Sequence, residues 1–577
     1  MRNISLKSLA VVGAAVATLS SCNSMKDLDK DYYSVNPNPL EVHGGKVKID
    51  IKGQFPEKLF KKAVAIELTP ELSYEGGQTP FKMVEFQGEE YPGNATVIPY
   101  ESGKTVSYTD EVDYTPEMEK SQLSVKIVGK KGDKRKDFEA IPLAPGVITT
   151  SLLVEDDYMS SFVAPAYEQT TNHELAGMVN FKVNSSAIRS SELKQEDYKA
   201  LESLVKSAGN EEKLTLSGIS FVGYASPEGE ATLNANLSDD RAKNVEKKIT
   251  AAVKRAKIEY QDGFFTIEGK GADWDGVYAA IKASDIEDKD MILRSLDDEP
   301  LLDSKEKTLK SLSNTYDVLK DDILPQLRRT QVVINYSLVG KTDEEIKELA
   351  AKGADSLKVE MVKADGTTAL QLDAEEVLYA TSLTESKEER LEILKKGIEM
   401  YPADYRFPTD AGHCAQALGN KDEAVSLFEK AYQIEENDIT INNLAVAKML
   451  VGDVEAADEM FAKSTTAEAS YNRGVKAIKE GDYNKAIEDM QGKNTFNLAL
   501  AKVLNGDYDG GIKTLEAGEV NTCKADYLKA IASQRLGKSD DAKNYLKSAF
   551  EKNPKMEEKA KTDLEFRELY AAAPAAE

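Results

Sequence analysis

The stretch Leu214–Ala242, LTLSGISFVGYASPEGEATLNANLSDDRA, decides how the middle of this chain is read. Leu214, Leu216, Ile219, Phe221 and Gly223 set out an apolar run of β-forming character, and Pro227 and Gly229 end it. Beyond the turn, Ala242, Val245, Ile249 and Ala252 recur with a helical period, so a helix is expected to open at Ser238. A serine there would cap orphan N–H groups, and Asp239 and Asp240 would lie where the helix dipole favours anions. The stretch therefore reads as strand, tight turn and helix.

The spacing G-Y-x-x-x-x-G-x-x-x-x-N-x-x-L-S-x-x-R-A over Gly223–Ala242 resembles the OmpA-like domain, a periplasmic module that holds outer-membrane proteins to peptidoglycan. The resemblance extends outward to Gly177–Phe181 as an opening strand, Tyr198–Ser207 as a first helix, Phe264–Gly271 as a further strand and Arg328–Ile334 as the closing strand. It implies an α/β domain over 173–338 that grips the diaminopimelate of the peptide stem between an Asp on the turn and an Arg on the helix. A guanidinium forks onto a carboxylate, while a carboxylate accepts from an ammonium. Arg241 fills the Arg position, but Ser226 stands where the Asp belongs, and Glu228 is the nearest substitute carboxylate. The plainer reading of Arg241 is a solvated helix-face residue paired with Asp239 or with a neighbouring loop. Residues 273–323, containing the only tryptophan, Trp274, are expected as a helical insertion that departs from the compact pattern and would cover the place where a stem docks.

Towards the N-terminus, short alternating runs at Val47–Ile51, Val64–Leu68, Ala95–Pro99, Thr105–Tyr108, Leu123–Val128 and Val147–Val154 are separated by Gly and Pro turns. They predict a β-sandwich over 40–165 with no catalytic constellation. Residues 22–39 read as a polar, Pro-terminated tether. Residues 1–21 carry Arg2 and Lys7, then the apolar run Leu9–Leu19, and read as a secretory signal peptide too short to span a bilayer. Leu19-Ser20-Ser21-Cys22 resembles a bacterial lipobox, which implies cleavage before Cys22, acylation of its sulfur and attachment to the membrane by a lipid anchor.

Towards the C-terminus the period changes after a charged connector at 339–373. Turns recur at Gly419, Gly452, Gly481, Gly506 and Gly537, spaced 33, 29, 25 and 31 residues apart, each followed five positions on by Ala424, Ala457, Ala486, Gly511 or Ala542. This resembles the tetratricopeptide repeat, two helices meeting at a glycine turn with small residues at the crossing, and predicts about six units over 374–570 with a capping helix and a disordered 571–577 tail. The shorter spacings imply trimmed second helices. Nine residues before four of the glycines stand Asp410, Asn443, Asn472 and Asn497. The resemblance places them on the concave groove, where an amide can pair with the backbone of an extended peptide. Lys448, Lys502 and Arg473 are the charges expected to assist. Asn505–Glu516 fits a calcium-loop spacing, but it coincides with a repeat turn and is read as one.

Over 577 residues, 41% hydrophobic and 30% charged, the composition is that of a multidomain globular protein. A net charge of −26 excludes nucleic acid and an anionic bilayer surface as direct partners. His43, His173 and His413 show no metal spacing with one another or with cysteine, and Cys414 and Cys523 are expected as separate buried thiols. No metal or cofactor is called for. The sequence thus leads to a non-enzymatic outer-membrane lipoprotein, with its periplasmic face favoured, that serves as an envelope scaffold and binds envelope proteins through the repeat groove. A peptidoglycan anchor using Arg241 is the alternative.

Overall fold

The computed structural model describes residues 30–286, 289–298, 302–311, 319–352, 361–362, 368–369 and 371–571. The expected signal peptide, Cys22 and residues 572–577 lie outside the described residues, as do parts of the insertion and most of the connector. The described chain forms two compact units: one joins the N-terminal region up to Val163 with Pro402 onwards, and the other spans Ala164–Tyr401.

In the N-terminal region strict alternation builds sheets. Strand β3 (Lys46–Phe55) points Val47, Ile49, Ile51 and Phe55 inward and polar residues outward. It pairs with β1 (Tyr33–Asn36), β2 (Leu40–His43) and β5 (Lys104–Asp113). A second sheet centres on β4 (Ala65–Tyr74) and β6 (Gln122–Lys131). Ile49 and Phe55 from the first sheet share one core with Ile66, Leu72, Leu123 and Ile127 from the second. Two expected boundaries move. Tyr33–Asn36, assigned to the tether, is a paired strand because Tyr33 and Val35 pack on this core. The last strand ends at Ile148, followed by a 3-10 turn at Thr150–Leu153, so residues 154–165 are not part of the sheets.

The middle unit contains a four-stranded sheet in the order Thr170–Asn180, Arg329–Val339, Leu214–Ala225, Phe265–Ala272. The last two strands are parallel and are joined by helix Ala231–Arg255, as a crossover requires. Leu201 and Val205 of helix Glu196–Ala208 and Val245 and Ile249 of the longer helix close over Ile219, Phe221, Val332 and Ile334. The long helix opens seven residues before Ser238, which overturns the expected cap. The run from Ala231 to Leu237 joins the helix, Asn234 Nδ2 ties back to the Gly229 carbonyl at 2.6 Å, and Ser238 Oγ instead accepts from the Gly271 N–H at 2.8 Å. Gly223 permits this approach: a Cβ there would lie 2.0 Å from the Ser238 carbonyl oxygen. The insertion supplies helices Trp274–Ala283, Lys289–Asp297 and Leu302–Ser311 with a small core of their own around Val277, Ile281, Ile292 and Leu309.

From Ala374 to Lys552 the chain is helical, in six successive helix pairs. The five turn glycines adopt φ between +74° and +87°, a region costly for any side chain. Asp453, Asp482 and Asp507 then cap the second helices, so the calcium-like Asn505–Glu516 stretch is a repeat turn whose Asp507 carboxylate accepts from Gly510 N–H. Ala424, Ala457, Ala486 and Ala542 are fully buried where the helices cross. The second helices after the shorter spacings have 10 and 7 residues, against 14 for Lys421–Ile434. Cys414 is buried as expected; Cys523 opens its helix and is only half-buried, and the two are not joined.

Candidate functional site

Within the first unit the groove of the array is filled by the chain itself. Residues 155–163, EDDYMSSFV, run extended past the first helices of successive repeats and make no sheet pairing. An extended backbone turns alternate amides to the same side, and the repeat asparagines meet them. Asn443 accepts the Ser161 N–H at 2.7 Å and donates to the Ser161 carbonyl at 2.8 Å. Asn472 grips Met159 in the same way at 2.7 and 2.9 Å, and Asn497 grips Glu155 at 2.9 and 2.9 Å. Asp410, with no amide to donate, accepts the Val163 N–H at 2.8 Å. The segment runs opposite to the repeat order, two residues per repeat from 163 back to 159. Between Asn472 and Asn497 it advances four.

All three asparagines are fully buried. An empty groove would leave these side chains in water; here the occupant covers them. Burial raises what each clamp is worth, since an amide stripped of both protein and water partners is costly.

Side chains of the segment find partners too. Glu155 pairs with Lys524 at 2.8 Å, and Asp156 with Lys479. Asp157 accepts from Tyr471 Oη at 2.8 and 2.9 Å and from Asn497 Nδ2 at 2.6 Å. Tyr158 stacks on Phe461 with ring centroids 6.1 Å apart, and its carbonyl accepts from Gln416 at 2.8 Å. Ser160 meets His413 Nδ1 at 2.8 Å; Ser161 Oγ donates to Glu468 at 3.2 Å and accepts from Asn442 at 3.1 Å. Burial pushes the Asp157 carboxyl up to about 6 against the help of its hydrogen bonds, and pushes Asp410 up to about 7.

The expected assisting charges do not enter the groove. Lys448 pairs with Glu429 at 3.3 Å, and Lys502 donates to Thr514 Oγ1 at 2.8 Å. Both stand five residues past their asparagines, well round a 3.6-residue helix. Arg473, one residue past Asn472, donates to the carbonyls of Phe461 and Ser464 at 2.6 and 3.1 Å. Tyr471 and Asn442 reach the segment from one residue before a repeat asparagine, and two further partners obey helical spacing: His413 is three residues past Asp410, and Lys479 is seven past Asn472. Searching those offsets would have found them. The occupant itself carries no such signal: EDDYMSSFV has no strand or helix period and lies beyond the last expected strand, Val147–Val154, inside the bounds given to the sandwich.

The residues taken for a peptidoglycan clamp form a closed cluster in the second unit. Arg241 is 1% exposed, which overturns the solvated reading, and Asp239 pairs with Lys243 instead. The Arg241 guanidinium donates to the carbonyls of Ser185, Tyr224 and Lys182 at 2.9 to 3.0 Å and lies 5.2 Å from the Phe181 ring. Burial and the neighbouring Arg328 draw its pKa down to about 10, leaving it charged at neutral pH. Glu228 accepts two bonds from Arg328 at 2.7 and 3.0 Å and one from Ser226. Trp274 and Glu306 of the insertion line a hollow of about 310 Å³ with Pro227, Gly229 and Asn234.

Comparison with known proteins agrees with the repeat reading over a limited span. The tetratricopeptide repeat family matches residues 409–438. Solved structures similar to part of the chain include MamA (AMB-1), 18% identical over 26% of this chain and 97% of its own, TM-score 0.22. YrrB, a TPR protein with an unusual peptide-binding site, is 15% identical over 28% and 94%, TM-score 0.23. A tetratricopeptide repeat protein from Parabacteroides merdae is 11% identical over 34% and 85%, TM-score 0.26. No curated protein matches the chain.

Proposed function

We propose that this chain is a non-enzymatic lipoprotein of the bacterial outer membrane, anchored through Cys22 on the periplasmic side, whose repeat array grips extended polypeptide as an envelope scaffold. The observation that carries the reading is the row of Asn443, Asn472 and Asn497, each holding the N–H and the carbonyl of one residue of an extended segment. Backbone capture of this kind suits protein partners and needs no cofactor. No helix among the described residues is long and apolar enough to cross a membrane, and the lipid anchor rests on the lipobox-like Leu19-Ser20-Ser21-Cys22. The strand–helix order of the middle unit supports an OmpA-like domain kept as scaffold. Peptidoglycan anchorage is the less supported use of it, because Arg241 presents almost no surface to a stem carboxylate.

The test is crosslinking and capture from intact envelopes. A partner of the groove is captured more strongly when the internal segment is weakened by Asp157→Ala/Tyr158→Ala and less when Asn443 and Asn472 become Ala. Equal capture by all forms would remove the groove from the account. Cys22→Ala should release the protein from membranes and abolish palmitate labelling.

A further inference from the structure

We propose that the groove selects a partner peptide with the chemistry of its own occupant, and that residues 155–163 act as an internal competitor for that ligand. This rests on the reading that the array serves protein partners. The ligand is an extended stretch with consecutive carboxylates, then an aromatic residue, then two small hydroxyl residues one position further on.

The backbone clamps at 155, 159, 161 and 163 accept any extended chain; the selectivity lies in what surrounds them. Lys524 and Lys479 face Glu155 and Asp156. Two cations aimed at neighbouring positions of one peptide, on a chain with net charge −26, define an acidic N-terminal half. Tyr471 adds a hydroxyl donor for the third carboxylate. The Phe461 ring then supplies a face for an aromatic residue, with Lys479 donating to the Tyr158 hydroxyl at 3.2 Å. Beyond it Ser160 and Ser161 are 6% and 5% exposed, so His413, Asn442 and Glu468 close on hydroxyls with no room left to solvent.

The internal segment is enclosed around Tyr158, Ser160 and Ser161 and open on either side of them. Phe162 is 62% exposed, and Asp156 and Asp157 keep an open outer side. A peptide can therefore exchange with it without the array unfolding. Because the segment is covalently tethered, its effective concentration is on the order of millimolar, and a free peptide of equal intrinsic affinity competes poorly until the segment is weakened.

The experiment uses the full-length protein and a fluorescent peptide of sequence VEDDYMSSFV. Wild type should bind it weakly. The Asp157→Ala/Tyr158→Ala protein should bind at least about tenfold more tightly, through removal of the competitor. Adding Asn443→Ala and Asn472→Ala should abolish that gain. A peptide with its acids changed to amides and its tyrosine to alanine should bind the opened protein at least about tenfold more weakly. A second opened form, Met159→Pro, removes the N–H that Asn472 accepts and guards against one variant failing to fold; circular dichroism reports the helices of both. Equal binding by wild type and both opened forms would overturn the competitor role. Equal binding of the two peptides would overturn the ligand class. Envelope capture without peptide binding would overturn this inference and leave the scaffold reading standing, whereas loss of both would overturn the two together.

Discussion

The carboxamide of Asn443 and the peptide group of Ser161 exchange two hydrogen bonds, 2.7 Å from the Ser161 N–H and 2.8 Å to its carbonyl, across 282 residues of sequence. This pair lies in the middle of a row that ties the N-terminal sheets to the C-terminal repeats.

Asn443→Ala should destabilise the protein by about 2–3 kcal/mol, because two hydrogen bonds are lost and the Ser161 peptide group is left buried without them. An open, solvated groove would instead give a change of only a few degrees in melting temperature for all three asparagines together. Urea unfolding of the single variants, followed by helix circular dichroism, separates the two.

Acid should tighten the segment. Asp410 and Asp157 have carboxyl groups raised to about 7 and about 6 by burial, against 3.8 when the chain is open. Between the open and docked values the docked state holds the extra proton, so stability is full below about 3.8 and falls as pH rises through the docked values. Arg406 works against the shift at Asp410 while Asp404 adds to it, and Glu155 adds to it at Asp157. Asp157 keeps part of its surface in water, which makes its share the smaller. Protease cleavage within 155–163 should be slower at pH 5 than at pH 8, and Asp410→Asn should flatten most of that difference.

Arg241→Ala should destabilise the α/β unit rather than merely alter a surface. Three carbonyls lose a charged donor at once, worth at least about 3 kcal/mol together. Thermal unfolding of the variant should show a transition displaced downward by many degrees, and a loss of peptidoglycan co-sedimentation measured without that control would say nothing about binding.

Two turn glycines should differ on replacement by alanine. At Gly452 a Cβ meets nothing within 4 Å, so Gly452→Ala carries only the cost of φ +82°, about 1 kcal/mol. At Gly481 a Cβ would lie 2.6 Å from the His43 ring, which sits edge-on to Tyr483 with centroids 5.1 Å apart. Gly481→Ala should therefore cost clearly more in urea unfolding, and His43→Ala should remove most of the excess, leaving the tight approach to the Gly44 backbone nitrogen at 3.0 Å.

The periodic parts of the fold were legible in the sequence. Alternation in β3, the 3.6-residue spacing of Val245, Ile249 and Ala252, and the glycine turns each encode local structure, and each forms where it was expected. Ser238 was misplaced because cap chemistry also suits a serine that ties its helix to Gly271. Groove asparagines were legible from their repeat register, but their occupant was not. Residues 155–163, EDDYMSSFV, carry neither a strand nor a helix period, and only the long-range placement of Asn443, Asn472 and Asn497 makes a ligand of them. A neighbouring loop was one of the expected partners of Arg241, but its burial was not legible, because the carbonyls of Lys182 and Ser185 that enclose it come from a loop with no motif.

Native-state hydrogen exchange across residues 155–163 tests the central claim most directly. With the segment gripped by the array, the amides of Glu155, Met159, Ser161 and Val163 exchange slowly in the wild type, and Asn443→Ala/Asn472→Ala/Asn497→Ala frees the first three while the core of helix Ala467–Glu480 remains protected. Wild-type exchange in this segment as fast as in the isolated peptide would contradict the account.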